Sequence, residues 1–422
     1  MVVSENGTPT ESGQQPVVTV IGGGMIGLCT AWELARRGAS VTVIDRDRMG
    51  GATSRGNTGW VVPALSAPIA APGSVKQGLQ LISRRDNPFY IKPRPSPALA
   101  NWLVSFVRSA RPERFRAGTD AILAINQRTL ELFDGLRSAG VEFEMHGGGL
   151  LFLCLSEAAL DGTAQRFAKL GYGGEIERLT AREVLALEPG VAPSVIGALH
   201  VKPERFIRPE TLSQGLVKAL SDLGVRLVEN QTVTALRRVS HEWRIDTAHE
   251  RFVADRVVIS AGIWSRELLR PLGLNLPLQA GKGYSVTTRG SGVPPQRAAF
   301  FVEAMIGAAP YDGAVRLAGM LELSGMDDSL KRRRLEAVYR AARAYLSGWQ
   351  PGDAELEWAG LRPMTPDGLP IVGAVPGHPG AFLSTGHGMV GVTLAPATAA
   401  LLAPLVLTGQ SAPELWPVRA DR

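Results

Sequence analysis

The stretch VVTVIGGGMIGLCTAWELARRGASVTVIDRD, which starts at Val17 and ends at Asp47, restricts the fold more than any other part of the chain. It opens on a short continuous apolar run, as a parallel strand buried on both faces requires. Gly22, Gly24 and Gly27 follow as G-x-G-x-x-G. In a strand-to-helix turn, Gly22 makes the tight turn and Gly24 lets the backbone approach a pyrophosphate. Gly27 lets the helix pack on its strand. Met25 and Ile26 lie inside this turn and start a helix whose free N–H groups and dipole suit a phosphate anion. Apolar periodicity continues through Leu28, Ala31, Leu34 and Ala35, and Gly38 is placed to end the helix. The second run, SVTVID, closes on Asp45, 23 positions after Gly22, where a carboxylate can accept from both ribose hydroxyls.

This pattern predicts a dinucleotide site but does not separate FAD from NAD. A 2′-phosphate is disfavoured because Asp45 repels it. The next segment, RDRMGGATSRGNTGW at 46–60, is a second loop of small residues directly after the ribose acid. Nicotinamide folds usually continue into another plain βαβ unit, whereas flavin folds often lay such a loop along the pyrophosphate and ring. The segment therefore favours FAD.

Composition narrows the class. At 422 residues, 45% hydrophobic and 20% charged, the chain is an ordinary globular protein long enough for two domains. Its two cysteines, Cys29 and Cys154, fall in apolar runs and read as buried small hydrophobes. They support neither a disulfide framework nor a Cys-ligated metal, and no metal is expected. The net charge of +6 is modest. Its sharpest basic run, Lys331 to Arg334, adjoins an apolar stripe of Leu330, Leu335, Val338 and Ala342. It reads as the solvated face of an amphipathic helix, with a weak peripheral attraction to anionic lipid as the alternative. No interleaving of aromatic and basic residues points to nucleic acid. Residues 1–15 are polar and read as a disordered tail without the apolar core of a signal peptide. The run AALLAPLVL at 399–407 is too short to span a bilayer. The protein is accordingly expected in the cytoplasm, at most peripheral at the inner face of the membrane.

Farther along, 97–139 read as mostly helical, VEFEMHGGGLLFLCLS as two strands around a glycine turn, and 208–236 as helix, strand and extended segment. Residues 242–265 read as a hairpin followed by a buried strand that runs into Ala261 and Gly262. The segments between 281 and 323 alternate like an antiparallel sheet. Nucleotide-type units thus occur at the start, middle and end of the chain, with other structure inserted between them. The fold expected is α/β plus α+β, as an interleaved pair of domains rather than two consecutive ones.

Four stretches resemble the FAD-dependent D-amino-acid oxidase and glycine/sarcosine oxidase superfamily, and within it the bacterial D-amino-acid dehydrogenases. They are VIGGGMIGLCTAWELARRGASVTVID, GNTGWVVPALSAPIAAPG, VVISAGIWS, and WAGLRPMTPDGLPIVG with FLSTGHGMVGVTLAPATA. The resemblance implies a Rossmann-like FAD-binding domain (16–75, 206–278 and 357–422) interleaved with a substrate domain built on an antiparallel sheet (76–205 and 279–356). It further implies that Gly22, Gly24, Gly27, Asp45 and Arg46 bind the ADP half of FAD. Thr53, Ser54, Asn57 and Gly59 lie along its pyrophosphate and ring, and Val233 presents backbone to the adenine. Ala261 and Gly262 pack near the ribitol, and Gly386, His387, Gly388, Met389, Gly391 and Thr393 surround the flavin pyrimidine. Noncovalent FAD is implied, since neither cysteine stands where relatives tether theirs. The glycines at 386–391 also offer N–H groups at the start of a helix, able to stabilise negative charge on a reduced flavin.

The activity implied is oxidative deamination of a D-amino acid, or of a D-imino acid such as proline or hydroxyproline. A hydride leaves Cα–H for flavin N5, giving an imine and then a 2-oxo acid. The acceptor is oxygen, a quinone or another electron carrier. Arg362, in GLRP, is the residue expected to fix the substrate carboxylate through two parallel bonds; the alternative is a structural pair with Asp367. Tyr284, in GKGYSV, is a second candidate for the same carboxylate, with a core tyrosine as its alternative. His387 is not assigned as a base. Glycine oxidases of this superfamily carry an arginine in the stretch where this chain has Met389, a departure that counts against glycine as substrate. The other readings are a specialised secondary-amine or N-substituted amino acid oxidase of a biosynthetic pathway, and a flavin electron-transfer subunit.

Overall fold

The computed structural model describes residues 15–74, 76, 78, 87–170 and 174–422. Apart from residue 15, the tail expected at the N-terminus lies outside the described residues.

The opening segment folds as its pattern requires. Val17–Ile21 and Ser40–Ile44 pair in parallel across the helix Met25–Arg36. They join Arg226–Val228, Arg256–Ile259, Ala381–Thr385 and Ile371–Ala374 in one six-stranded sheet. All pairings in it are parallel except the last, Ile371–Ala374 with Ala381–Thr385. Both faces are covered. Val18, Val20, Val41, Val43 and Val258 pack with residues of Met25–Arg36 and Gly391–Thr408, as do Leu212 and Leu216 of Pro209–Asp222. Ile21, Ile44, Val257, Ile259 and Leu383 pack instead with Val233, Trp243, Ile245 and Phe252 of a three-stranded antiparallel sheet. Alternate side chains therefore enter two different cores, which is why these strands read as continuous apolar runs.

The second large sheet has nine strands. Its centre is antiparallel: Gln279–Gly292 lies between Ala314–Leu323 and Trp349–Met364. It is not antiparallel throughout. Ala298–Phe301 pairs in parallel with Leu150–Cys154, and Ala314–Leu323 with Phe89–Ile91. One face of the sheet packs on the helix Arg332–Tyr345 through Leu335, Val338 and Ala342. Leu330, counted in the same stripe, is exposed. The basic run is not simply a solvated face either. Lys331 and Arg334 both bond the carboxylate of Glu322, which is buried in the sheet.

Two strands cross the expected domain limits. Trp349–Met364 runs unbroken through 356/357, so Arg362 belongs to the nine-stranded sheet. Arg205–Ile207 spans 205/206 and pairs with both Trp60–Val61 and Met145–His146. For the same reason Met145–His146 and Leu150–Cys154 are not a hairpin, since Leu150–Cys154 pairs elsewhere. Among the described residues one helix, Gly391–Thr408, is long and apolar enough to cross a membrane by length and composition. Most of its residues are buried in the protein core.

Candidate active site

In an open parallel sheet, ligands bind outside the carboxyl ends of the strands. Here the register aligns four such ends. Ile21 stands opposite Ile44 and Ile259, and Ile259 opposite Leu383. The residues just beyond them are Gly22, Asp45, Ala261 with Gly262, and Gly386, so segments distant in sequence share one sheet edge.

The glycine turn is shaped by contact. A Cβ on Gly22 (φ +107°) would sit 2.5 Å from the Ser260 carbonyl oxygen, and one on Gly27 would collide with the Gly22 carbonyl. Gly24 is different: a Cβ there would meet no protein atom closer than Ser54 Oγ at 3.9 Å, so this glycine faces open space. The helix starting at Met25 has no side-chain cap, and the Met25 N–H donates to Ser54 Oγ at 3.4 Å. The Met25 side chain enters the core, with Ile26 packed against it. Asp45 accepts from the Gly23 N–H (2.6 Å) and the Asp47 N–H (2.8 Å). Burial pushes its carboxyl above the ordinary range, against the pull of those two amides. Arg46 stacks 3.7 Å over the Trp264 ring. The Gln231 N–H donates to the Asp45 carbonyl (2.9 Å), bringing the start of Val233–Val239 beside the ribose acid.

Two segments, the small-residue loop and the 386–391 turn, then converge on residues 361–364. Thr53, in the short 3₁₀ helix Thr53–Gly56, donates to the Leu361 carbonyl (3.0 Å). The Gly388 N–H donates to the Pro363 carbonyl (3.1 Å), and His387 forms a β-bridge with Met364. Asn57 donates to the Met389 carbonyl (3.4 Å) and accepts from the Gly59 N–H (2.8 Å), closing the circle between loop and turn. The Thr385 hydroxyl donates to the Gly262 carbonyl (2.8 Å), which ties the ribitol-side turn to the same turn.

Arg362 stands at the middle of this convergence. Its guanidinium lies against Gly283, where any Cβ would collide with Nη1, Cζ and Nη2. Among the described residues it donates to one protein acceptor, the Met320 carbonyl (3.0 Å). Met320 has a left-handed backbone (φ +67°) at a bulge between Gln279–Gly292 and Ala314–Leu323. For a residue with a side chain this conformation costs about 1–3 kcal/mol and is typical of functional sites. No carboxylate lies within ion-pair distance of Arg362 among the described residues. Asp367, the alternative partner, is taken by Arg422 (3.0 Å). Burial alone lowers the Arg362 pKa to about 10. A sunken cation with most of its donors free is suited to an anionic ligand.

Tyr284 is not brought to this place. Strand alternation puts it, with Lys282, on the opposite face from Arg362. It is fully buried, its hydroxyl donates to Glu322 (3.2 Å), and burial raises its pKa further above the ordinary value. The expected role on the substrate carboxylate is replaced by a core role. Thr393 likewise spends its hydroxyl on protein: it donates to the Trp60 carbonyl (2.8 Å) and accepts from the Val62 N–H (3.3 Å). Met389 is exposed. His387 is buried, and burial lowers its pKa to about 3. Thr398 spends its hydroxyl proton on the Leu394 carbonyl (2.9 Å), so His387 Nε2 is the donor to Thr398 Oγ1 (3.3 Å). His387 Nδ1 is then a buried acceptor without a protein partner.

Arg316 was invisible to motif reading. It is fully buried and donates from Nη1 to the carbonyls of Arg55 (2.8 Å) and Asn57 (2.9 Å). Its Nε donates to Thr287 Oγ1 (2.7 Å), and Glu210 of Pro209–Asp222 neutralises it. One guanidinium thus fastens the small-residue loop to the large sheet. A buried arginine in an apolar strand that also carries Thr287's neighbours is the only sequence signal for it.

The site fits FAD by its own features: an open Gly24 shelf, an uncapped helix N-terminus, a ribose-side carboxylate and orphaned buried acceptors at Ser260 Oγ and His387 Nδ1. Comparison with known proteins agrees. Residues 18–405 match the model of the family described as FAD dependent oxidoreductase (DAO). The chain is 34% identical over 414 residues to D-amino acid dehydrogenase 2 of Ralstonia nicotianae, covering 92% of this chain and 96% of that one. It is 32% identical over 406 residues to a D-amino acid dehydrogenase of Cereibacter sphaeroides, covering 92% and 91%. In fold it is similar to glycine oxidase from Geobacillus kaustophilus (TM-score 0.76, 23% identity, 97% and 99% covered). It is also similar to L-proline dehydrogenase from P. horikoshii (TM-score 0.74, 18% identity, 97% and 98% covered). The chain therefore belongs to the FAD-dependent DAO oxidoreductase family, as an amino acid dehydrogenase or oxidase that uses FAD.

Proposed function

We propose that the protein oxidises the Cα–N bond of a D-amino acid, or of a D-imino acid such as proline or hydroxyproline. The imine so formed hydrolyses in water to a 2-oxo acid and ammonia, the nitrogen staying attached as an amine where the imine is cyclic. The observation that carries this reading is the Arg362 guanidinium, which has no carboxylate partner among the described residues and stands beside the cofactor loop and the 386–391 turn. The D enantiomer is supported by the names of the curated relatives.

FAD, when bound, supplies the two-electron acceptor. The chain's own residues bind and align. Arg362 holds the substrate carboxylate through its free donors, and the Met320 carbonyl and Gly283 fix the direction of its fork. The N-terminus of Gly391–Thr408 gives the turn a positive dipole end. His387 stays neutral at physiological pH and serves as a fixed hydrogen-bonding group rather than a proton acceptor in turnover. Noncovalent cofactor binding is supported by the burial of both thiols, with Cys154 pushed up to about 12. Oxygen, a quinone or another carrier then takes up the electrons.

The test is anaerobic bleaching of the bound flavin across a panel of D-, L- and N-methyl amino acids. Rapid bleaching by D-amino or D-imino acids is expected. Absence of bleaching by every one of them overturns the reading.

A further inference from the structure

We infer that Trp358 reads the substrate's side chain and selects an apolar, uncharged one; this rests on the amino acid reading of the site above. Trp358, Gly360 and Arg362 alternate along Trp349–Met364 and share one face. In the register they stand opposite Ser285, Gly283 and Gly281. Arg362 lies flat over Gly283, and Trp358 lies flat over Gly360, where a Cβ would collide with Cζ2 and Cη2 of the indole. Gly283 and Gly360 are themselves cross-strand partners. Such partners carry their Cβ positions about 4.5–5.5 Å apart, so guanidinium and indole lie side by side on a two-glycine shelf.

The far edge of the indole abuts the cofactor loop, since a Cβ on Gly56 would collide with Cδ2 and Cε3. Trp358 therefore fills the space between the carboxylate anchor and the loop, and it is only partly buried. A carboxylate on Arg362 brings the Cα substituent against this apolar wall. An aliphatic or aromatic side chain gains burial there. An acidic one competes for Arg362 with its second carboxylate and leaves one charge against the indole. A basic one meets the Arg362 cation at close range in a poorly solvated site. Each charged class is penalised by a residue already named.

The holoenzymes of wild type, Trp358→Phe and Trp358→Ala are compared by kcat/KM on leucine-, phenylalanine-, alanine-, glutamate- and lysine-type amino acids of the enantiomer that bleaches wild type. Flavin content is measured on each. Wild type should favour the apolar class over the charged ones. Trp358→Ala should lower the ratio of phenylalanine- to alanine-type kcat/KM at least about tenfold, with Trp358→Phe between. Unaltered ratios in both variants, or a wild type that prefers charged side chains, overturn the inference while leaving the amino acid reading intact. A wild type inert to every amino acid overturns both. If Trp358→Ala cannot be prepared, Trp358→Phe against wild type decides on the same ratio.

Discussion

The Arg362 guanidinium rests on Gly283, one strand away, at a spot that a single methyl group would occupy. Substitution Gly283→Ala displaces the fork without touching its charge. Alignment errors near 1 Å can cost about a hundredfold in rate, so kcat/KM should fall at least about tenfold with flavin content as the control. Stopped-flow flavin reduction reads it, and a variant as fast as wild type would show that this seating does not set the reaction geometry.

Removing the charge itself separates binding from stability. Arg362→Met deletes the carboxylate anchor, a loss of about 2–5 kcal/mol, or roughly thirty- to several-thousand-fold in kcat/KM. It also deletes a largely sunken cation with no counter-charge among the described residues, whose desolvation weighs against the fold. Ligand-free holoprotein should therefore melt higher in the variant, while protection by substrate-like carboxylates disappears. A lower melting point without ligand would contradict the unpaired state of Arg362.

Arg316 and Glu210 make a separable prediction. Lysine cannot reproduce a fork whose Nη1 reaches the carbonyls of Arg55 and Asn57 while Nε holds Thr287 and Nη2 holds Glu210. Arg316→Lys should weaken FAD binding about 10- to 100-fold, read by titrating apoprotein with FAD and following flavin fluorescence. Glu210→Gln leaves the guanidinium buried without its counter-charge, at a cost of about 3–5 kcal/mol in stability. Equal FAD affinity in Arg316→Lys would free the loop from this clamp.

His387 predicts a pH signature in stability. Its folded pKa of about 3 lies below the ordinary 6.5. Between these values the folded state binds fewer protons than the unfolded chain. The stability involved is complete above pH 6.5 and is lost as pH falls toward 3, by up to about 1.4 kcal/mol per pH unit. Relative to wild type, His387→Gln should lose less stability on acidification in this window, as measured by thermal melting at stepped pH. Parallel melting curves across the window would rule out a neutral buried imidazole.

The nucleotide half of the fold was legible because its signal is local. Val17–Ile21, the glycine turn and Asp45 lie within one βαβ unit, and each residue type answers a steric or charge demand. The turn at 386–391 was legible as a glycine-rich turn opening a helix, while its place beside a flavin came through resemblance. The face of Tyr284 was not: a core tyrosine and a ligand-facing one have the same local pattern, and only the register with Trp349–Met364 distinguishes them. Arg316 and Trp358 escaped for a related reason. Their partners lie 259 and 302 positions away, at Asn57 and Gly56, across a contact that no periodicity encodes. The alternation of Trp358, Gly360 and Arg362 was the available clue, because small residues between large ones on a strand face leave room for side chains to lie flat.

The six-stranded sheet has a consequence for synthesis. Its first strand begins at Val17 and its last ends at Thr385, with the whole nine-stranded sheet encoded between them. A nascent chain that has emerged only through the opening βαβ unit already displays a complete glycine turn and ribose acid. It still lacks the neighbours that cover its strands and the turn at Gly386. Part of the apolar strand surface therefore stays uncovered on the ribosome until Gly391–Thr408 has emerged, and the cofactor edge is incomplete until the turn at Gly386 joins it.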